Sequence, residues 1–438
     1  MSLKDRVYKA QGGALEKQEK SDEELFSELR HYMNARLSNG LLRMADGNAL
    51  RVENEIRSLC YEVFSQIEWA SVSSERKERL VSQLVDSVFG FGPLNGLLSD
   101  SSVTEIMVNA PDKVYVERAG KLEKTAVRFI DNEQILSLID RIVGPLGRRI
   151  DESSPMVNAR LPQGYRVNAV VEPIAVDGPM LTIRKFPEKI LELEEMVASK
   201  SLEPELVPFL TWAVISRKNI AVSGGTGSGK TTFLNALSCF IPEGERVITI
   251  EDSAELRFSA NAHVVRMEAR PMNAEGKGQV TIRDLVANAL RMRPDRIVVG
   301  ECRGAEALDM LQAMNTGHSG SLTTLHANST KEAIGRLVTM VRYSSDVPVE
   351  VVESYIAAAM DVVVQTVRGI DGTRYVSEVS SFYFDEEKRQ CKVRTFYERP
   401  YPENRGTWHE IPAWINNLVQ CHYATEQEVS AWKQQICW

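Results

Sequence analysis

An α/β fold with a mainly parallel sheet is predicted by two features of this sequence. Short apolar segments alternate with helical ones between residues 203 and 370, an order typical of a parallel sheet with helices on both faces. The predicted strands are 220–223, 247–250, 297–299 and 322–325. In addition, the pattern G-x-x-x-x-G-K-[ST] follows the first of these strands and opens a helix, which is the setting of a phosphate-binding loop.

A helical bundle is predicted ahead of this region. Apolar residues recur three or four positions apart in three stretches, which indicates amphipathic helices. The first stretch runs from Leu25 to Leu37, the second from Ile56 to Ile67 and the third from Leu80 to Val88. The third ends at Gly90 and Pro93, which are helix-stop residues. We expect the three helices to pack together.

An α+β domain is predicted between the bundle and the parallel sheet, because the apolar period shortens there. Residues 106–108, 114–116 and 181–183 resemble strands, and residues 131–143 resemble a helix. The predicted organisation is therefore a loose tail (1–21), a three-helix bundle (22–92), the α+β domain (93–187), a charged linker (188–202), the α/β domain (203–370), and a C-terminal hairpin and tail (371–438).

Composition limits the classes of function. The 438 residues include 52 Lys and Arg against 60 Asp and Glu, a net charge of −8, which disfavours a dedicated duplex-binding protein. No uncharged apolar run approaches the ~18 residues of a membrane span, and the N-terminus lacks the apolar core of a secretory signal. The six cysteines are scattered without a C-x-x-C pair, so neither a disulfide framework nor a zinc ribbon is predicted. We expect a cytoplasmic protein.

The phosphate loop is the most specific feature of the sequence. Its glycines allow backbone N–H groups to point at phosphate oxygens, assisted by the following helix N-terminus. Lys230 is predicted to meet the β- and γ-phosphates, and the Thr231 hydroxyl to bind Mg²⁺. The predicted nucleotide-binding residues are Gly224, Gly225, Thr226, Gly227, Ser228, Gly229, Lys230, Thr231 and Thr232.

Carboxylates at two strand ends are candidates for completing a hydrolytic site. The apolar run Val298-Val299-Gly300-Glu301 carries Glu301 at its end. The strand 247–250 leads into the acidic run E-D-S-A-E, which contains Glu251 and Glu255. Carboxylates at these positions can orient water, accept its proton or hold Mg²⁺. An aspartate is expected just before Glu301, but Gly300 stands there. Other acids must therefore position the metal, and Glu251, acting directly or through water, is our candidate.

His318 and His326 flank the predicted strand 322–325. A single histidine is more often a packed or surface residue. Two at the ends of one strand of this sheet indicate either sensing of the γ-phosphate or coupling of hydrolysis to strand movement. No third ligand is spaced with them, which disfavours a metal site.

Four segments in this order, GGTGSGKTT, ITIEDSAEL, RPDRIVVGE and GHSGSLTTLHANS, resemble the Walker A, Asp box, degenerate Walker B and His box of the type II/IV secretion system ATPase superfamily. The glycine before Glu301 is itself that superfamily's pattern. Upstream, GPLNGLLSDSSVTEIMVN, GRRIDESSPMVNARLP and LTIRKF resemble one branch, the tight-adherence (Flp) pilus assembly ATPases of CpaF or TadA type.

This resemblance implies a RecA-like P-loop ATPase domain, a preceding domain of PAS-like architecture and a homohexamer. Arg166 and Arg184 match the positions from which the family's N-terminal domain reaches the γ-phosphate. Glu255 matches the proposed general base and Glu301 the Walker B glutamate, and either could take the proton. Hydrolysis would rotate the domains and drive an inner-membrane platform protein, with the leading bundle as a contact module.

The sequence and the resemblance together predict an Mg²⁺-dependent ATPase that powers a pilus or a related secretion filament. Its predicted cofactors are ATP and Mg²⁺, its membrane contact is through partner proteins, and no stable nucleic-acid partner is expected. Two alternatives remain at this stage. One is a nucleotide-gated scaffold with little turnover. The other is a RecA-like nucleic-acid translocase, which would require a basic channel with aromatic side chains.

Overall fold

We analysed a computed structural model of the chain. It describes residues 21–436 apart from 22–23, 27, 30–31, 34–48, 67–68, 70, 119, 187–189, 259–262, 273–276 and 401–404. The chain forms two compact units, Met1–Lys185 and Phe186–Trp438.

The first unit begins with helices, and those between residues 24 and 89 share one apolar cluster. Helix α1 spans Ala49–Phe64, α2 spans Ser74–Phe89 and the short α3 spans Asn95–Ser99. Buried residues from all three predicted stripes pack together, among them Leu29, Ile56 and Leu80. Amphipathic spacing thus places one face of each stretch in a common core. Leu37 and Ile67 lie outside the described residues.

A six-stranded antiparallel sheet follows in the same unit, in the order β3-β2-β1-β6-β5-β4. Its strands are β1 Val103–Ala110, β2 Lys113–Arg118, β3 Lys121–Lys124, β4 Met156–Arg160, β5 Arg166–Val170 and β6 Met180–Arg184. Helix α4, Asn132–Val143, starts where the Asp131 side chain accepts a hydrogen bond from the Gln134 N–H, a typical N-cap. The strands and the helix predicted here are all present.

The second unit is built on a nine-stranded sheet in the order β15-β14-β13-β12-β7-β11-β10-β8-β9. Its strands are β7 Ile220–Gly224, β8 Arg246–Glu251, β9 His263–Glu268, β10 Arg296–Cys302, β11 Leu322–Leu325, β12 Val362–Arg368, β13 Arg374–Asp385, β14 Gln390–Glu398 and β15 Thr407–Trp408. Strands β12 to β9 in this order are parallel. The four predicted strands of the parallel sheet are confirmed; β9 and β12 join it unpredicted.

Helices cover both faces of this sheet. They are α5 Leu193–Ala198, α6 Leu206–Ile215, α7 Lys230–Ser238, α8 Ile282–Ala289, α9 Glu306–Asn315, α10 Thr330–Arg342, α11 Val349–Ala359 and α12 Glu426–Gln435. Successive strand residues point to opposite faces, so Val222 and Val298 pack with α6, α7 and α12. Ala221 and Val299 pack with α8 to α11 on the other face. The α/β fold class predicted from the sequence is confirmed.

The segment 371–438, which the sequence sets apart, continues the sheet of the second unit. Strands β13 and β14 form the predicted hairpin and pair antiparallel, and β15 extends them. Helix α12 brings Trp432 against Phe209 and Trp408 in one buried aromatic group. This segment therefore belongs to the core of the α/β unit.

Candidate functional site

The phosphate loop lies between β7 and α7, at the edge where the parallel strands end. Such edges bind ligands in open α/β sheets because the connecting loops diverge there. A side chain at Gly224 would bring its Cβ within 2.5 Å of the Thr366 carbonyl oxygen, so only glycine fits. Gly227 and Gly229 have φ of 70° and 96°, in the left-handed region that favours glycine. The glycines therefore meet specific steric demands of the loop.

Lys230 is folded back onto the loop. Its Nζ donates to the carbonyl oxygens of Gly224 and Gly225 at 3.0 and 2.8 Å. Burial lowers the pKa of this ammonium, and the nearby charge of Glu301 opposes that shift. A buried cation that holds only neutral carbonyls is well placed to exchange them for phosphate oxygens.

Glu301, His326 and Lys230 come together although 96 residues separate the lysine from the histidine. The His326 Nε2 lies 3.1 Å from the Glu301 Oε1 and 3.4 Å from the Lys230 Nζ. Burial, followed by the Lys230 charge, lowers the pKa of His326. The ring is thus kept neutral between a cation and a carboxylate.

Arg303 joins this group and was missed by the sequence reasoning. Its Nη2 donates to the Glu301 Oε2 at 2.6 Å, and this hydrogen bond is the main reason that the pKa of Arg303 is raised. Arg303 follows β10, which ends at Cys302, and stands two positions after Glu301, a spacing that places residues of an extended chain on the same side.

Glu251, at the end of β8, holds the turn that follows it. Its Oε2 accepts the N–H groups of Glu255 and Leu256 at 2.7 and 2.8 Å. The side chain is 3% exposed, and burial raises its pKa to about 7 against the effect of those two N–H donors. Its Oε1 is buried and has no hydrogen-bond partner among the described residues. Gly300 leaves the room for this side chain, since a Cβ there would meet the Glu251 Cγ at 2.8 Å.

The other predicted site residues of the second unit do not all lie together. Thr231 and Thr232 are half-buried in the first turn of α7, beside the loop. His318 precedes β11 and His326 follows it, so only His326 contacts the Lys230 and Glu301 group. The His318 Nδ1 is buried without a partner among described residues.

Arg166 and Arg184 belong to the first unit. They are register partners on β5 and β6 of its antiparallel sheet. The two guanidinium-bearing residues are therefore neighbours on adjacent strands, and Arg184 also pairs in register with Glu105 on β1.

Comparison with known proteins agrees with this arrangement. The family described as "Type II/IV secretion system protein" matches residues 89–399, a span that contains the phosphate loop, the acidic strand ends and both histidines. This chain belongs to the type II/IV secretion system protein family.

Individual members of the family show how far the similarity extends. A putative conjugal transfer protein of Mycobacterium tuberculosis is 35% identical over 328 residues, which are 74% of this chain and 93% of that protein. The type IV secretion system protein VirB11 of Brucella suis is 35% identical over 346 residues, covering 72% and 95%. The crystal structure of the Brucella suis VirB11 ATPase with sulphate has a TM-score of 0.37 at 32% identity, covering 69% of this chain and 99% of that one.

Two further properties of this family member concern its described residues alone. None of their helices is both long and apolar enough to span a membrane. They also contain no group of three or more His, Cys, Asp or Glu side chains arranged to hold a metal ion.

Proposed function

We propose that this protein is an Mg²⁺-dependent ATP hydrolase that works as a hexameric motor for a pilus of the tight-adherence (Flp) type or a related type II/IV secretion filament. One observation carries the proposal: the His326 Nε2 lies 3.4 Å from the Nζ of the phosphate-loop Lys230 and 3.1 Å from the Oε1 of Glu301. A phosphate-binding cation beside a strand-end carboxylate is the arrangement that hydrolysis of a triphosphate requires.

ATP binding is assigned to the loop 224–231 and Thr232. The loop N–H groups would hold the phosphate oxygens, and Lys230 would exchange the carbonyls of Gly224 and Gly225 for the β- and γ-phosphates. Because that ammonium is already desolvated in the fold, little further cost of burial accompanies the exchange.

The oxygen atoms near the loop suit Mg²⁺, which prefers hydroxyl, carboxylate and water ligands. The Thr231 hydroxyl would hold the ion directly, and the unpartnered Oε1 of Glu251 would hold it through water. When bound, Mg²⁺ neutralises charge on the β- and γ-phosphates.

We propose that Glu255 accepts the proton of the attacking water. Both oxygens of Glu301 already face a positive or polar partner, Arg303 at 2.6 Å and His326 at 3.1 Å. A carboxylate engaged in this way orients water better than it takes a proton. Glu255 lies in the turn that Glu251 holds through the Glu255 N–H, and it matches the general base proposed for the family that the sequence resembles.

His326 would sense the γ-phosphate through Lys230 and Glu301, and β11 would transmit the change toward His318. Arg166 and Arg184 are proposed, on the family resemblance, to supply positive charge to the γ-phosphoryl group.

The partners we propose are five further copies of this chain and an inner-membrane platform protein. The protein would stay in the cytoplasm, reach the membrane only through such partners, and bind no nucleic acid stably.

The test is phosphate release measured against protein concentration, with mass determined by light scattering in the same samples with and without Mg-ATP. We expect turnover to rise steeply as hexamers form. Lys230→Ala should abolish ATP binding, whereas Glu301→Gln should bind ATP and turn it over at least about tenfold more slowly. A monomer with constant specific activity would contradict the hexameric motor, and binding without turnover in the wild type would favour the nucleotide-gated scaffold.

A further inference from the structure

The last residue of β12 and the first residue of β13 lie against the apex of the phosphate loop. The Arg374 Nε donates to the Gly227 carbonyl oxygen at 2.8 Å, across 147 residues of sequence. Cβ atoms built on Gly229 and Gly227 would lie 3.4 Å from the Arg374 Cδ and 3.5 Å from the Arg368 Nη1. Two arginines outside every motif of the sequence therefore pack directly on the loop.

A second attachment comes from β12 itself. The Thr366 hydroxyl donates to the Ser223 carbonyl at 3.0 Å, and its oxygen lies 2.9 Å from the Ser228 Oγ. The Ser228 hydroxyl in turn donates to the Gly225 carbonyl at 2.9 Å. Strand β12 and the first residue of β13 thus hold the loop at two points, one buried and one at the surface.

The orientation of the Gly227–Ser228 peptide explains why the surface contact matters. In a trans peptide the C=O and the following N–H point in opposite directions. Arg374 holds the Gly227 carbonyl outward, so the Ser228 N–H points into the loop, where it lies 3.4 Å from the Gly225 carbonyl. Inward N–H groups are what a phosphate loop offers its ligand, and a phosphate oxygen is a stronger acceptor than that distant carbonyl.

The charges around these two arginines also support an anionic ligand at the loop. Among the residues that the structure describes, no carboxylate lies within 4.0 Å of the Arg368 or Arg374 guanidinium. The nearby Asp371 is engaged by Thr373, whose hydroxyl donates to it at 2.7 Å. Two cations with no described carboxylate in ion-pair contact, beside a phosphate loop, favour an anionic ligand there.

We propose that Arg374 is a positioning residue for nucleotide binding, which acts by fixing the Gly227 peptide with its N–H partner directed at the nucleotide phosphates. This inference rests on the proposed function, because it assumes that the loop binds a nucleoside triphosphate. It adds to that site a residue of β13, one of the antiparallel strands that the C-terminal segment contributes to the sheet.

The experiment measures the affinity of fluorescent ATP and ADP analogues for full-length wild type, Arg374→Ala, Arg374→Lys and Arg389→Ala. Arg389 is the matched control, because it is an exposed arginine on the next hairpin that pairs with Glu350 at 3.4 Å. We expect Arg374→Ala to weaken both nucleotides about tenfold, the effect of losing one charge-assisted hydrogen bond. Arg374→Lys should recover only part of the affinity, kcat at saturating ATP should change less than twofold, and Arg389→Ala should bind like the wild type.

Two further readouts separate this role from others. Hydrogen exchange of the amides of residues 225–229 should be faster in Arg374→Ala, and the loss of affinity should persist at high salt. Equal affinity in Arg374→Ala and wild type would overturn the proposal, as would a loss that disappears at high salt or is shared by Arg389→Ala. If Arg374→Ala unfolds at a lower temperature, Thr366→Val, which removes the second attachment, is measured in the same way and must also weaken binding. Failure of the wild type to bind nucleotide would instead refute the proposed function.

Discussion

Glu251 occupies the space that a side chain at position 300 would fill: a Cβ on Gly300 would lie 2.8 Å from the Glu251 Cγ. The two residues sit side by side because Val299 pairs with Ile250 in the parallel register of β10 and β8. The absence of a carboxylate before Glu301 is thus matched by a buried carboxylate on the neighbouring strand. That carboxylate also holds the turn carrying Glu255.

Gly300→Ala should destabilise the α/β unit, because the added methyl must displace the buried Glu251 side chain. Overpacking of this kind costs about 1–3 kcal/mol, measured as the free energy of unfolding in urea. The same change at Gly335, in the middle of α10 with nothing within 4 Å of its Cβ, is the control, and there alanine should be neutral or stabilising.

The pairing itself is tested by a double-mutant cycle. Combining Gly300→Ala with Glu251→Ala should remove most of the clash, so the two costs should not add. Strict additivity would contradict the steric relationship between the two residues.

Arg303→Ala should lower kcat about tenfold with little change in ATP affinity, because Glu301 would lose the 2.6 Å hydrogen bond that orients it. Arg303→Lys should restore part of the rate, since lysine supplies charge but not the planar fork. Steady-state phosphate release provides the measurement. Arg283→Ala is a matched control, because Arg283 pairs with Asp309 at 2.8 Å away from this group. Equal rates in Arg303→Ala and Arg283→Ala would show that Arg303 has no role in hydrolysis.

His326 should make the fold less stable in acid. Because burial lowers its pKa in the folded chain, the unfolded ring, with a pKa of about 6.5, binds more protons below that pH. The free energy of unfolding contributed by this group is therefore complete above about pH 6.5 and is lost as pH falls.

Urea unfolding between pH 7.5 and 5.5 checks this expectation. The wild type should lose stability with acidification more steeply than His326→Gln, whereas the exposed His422, changed to Gln, should leave the slope unaltered. The same slope in wild type and His326→Gln would rule out a lowered pKa at this position.

Trp432→Ala should cost about 3–5 kcal/mol of unfolding free energy, the range for large buried aromatic truncations. The side chain is buried against Phe209 and Trp408, and its indole N–H donates to the Glu205 carbonyl at 2.7 Å. Trp432→Phe should cost less, and Gln434→Ala, at an exposed neighbour, should cost little. A small effect of Trp432→Ala would mean that the C-terminal segment contributes little to the core.

Local patterns in the sequence predicted the elements that depend on near neighbours. The phosphate loop is one continuous run of residues, and the strand ends that carry Glu251 and Glu301 are apolar runs that stop at an acid. Arg303 was within reach of the same reasoning, since it stands two residues beyond Glu301. Arg374 was not, because no local pattern links the first residue of β13 to a loop 147 residues earlier.

The sequence by itself determined the fold class, the phosphate loop and the type of chemistry, because glycine conformations, apolar periods and a Lys-Thr pair act over a few residues. Tertiary structure alone decided which distant groups meet. The strand order β7-β11-β10-β8 brings Lys230, His326 and Glu301 to one edge, leaves His318 beyond the opposite end of β11, and sets Glu251 beside Gly300. It also joins the C-terminal strands to the sheet, since backbone pairing and buried aromatic contacts depend on register and packing across the whole unit.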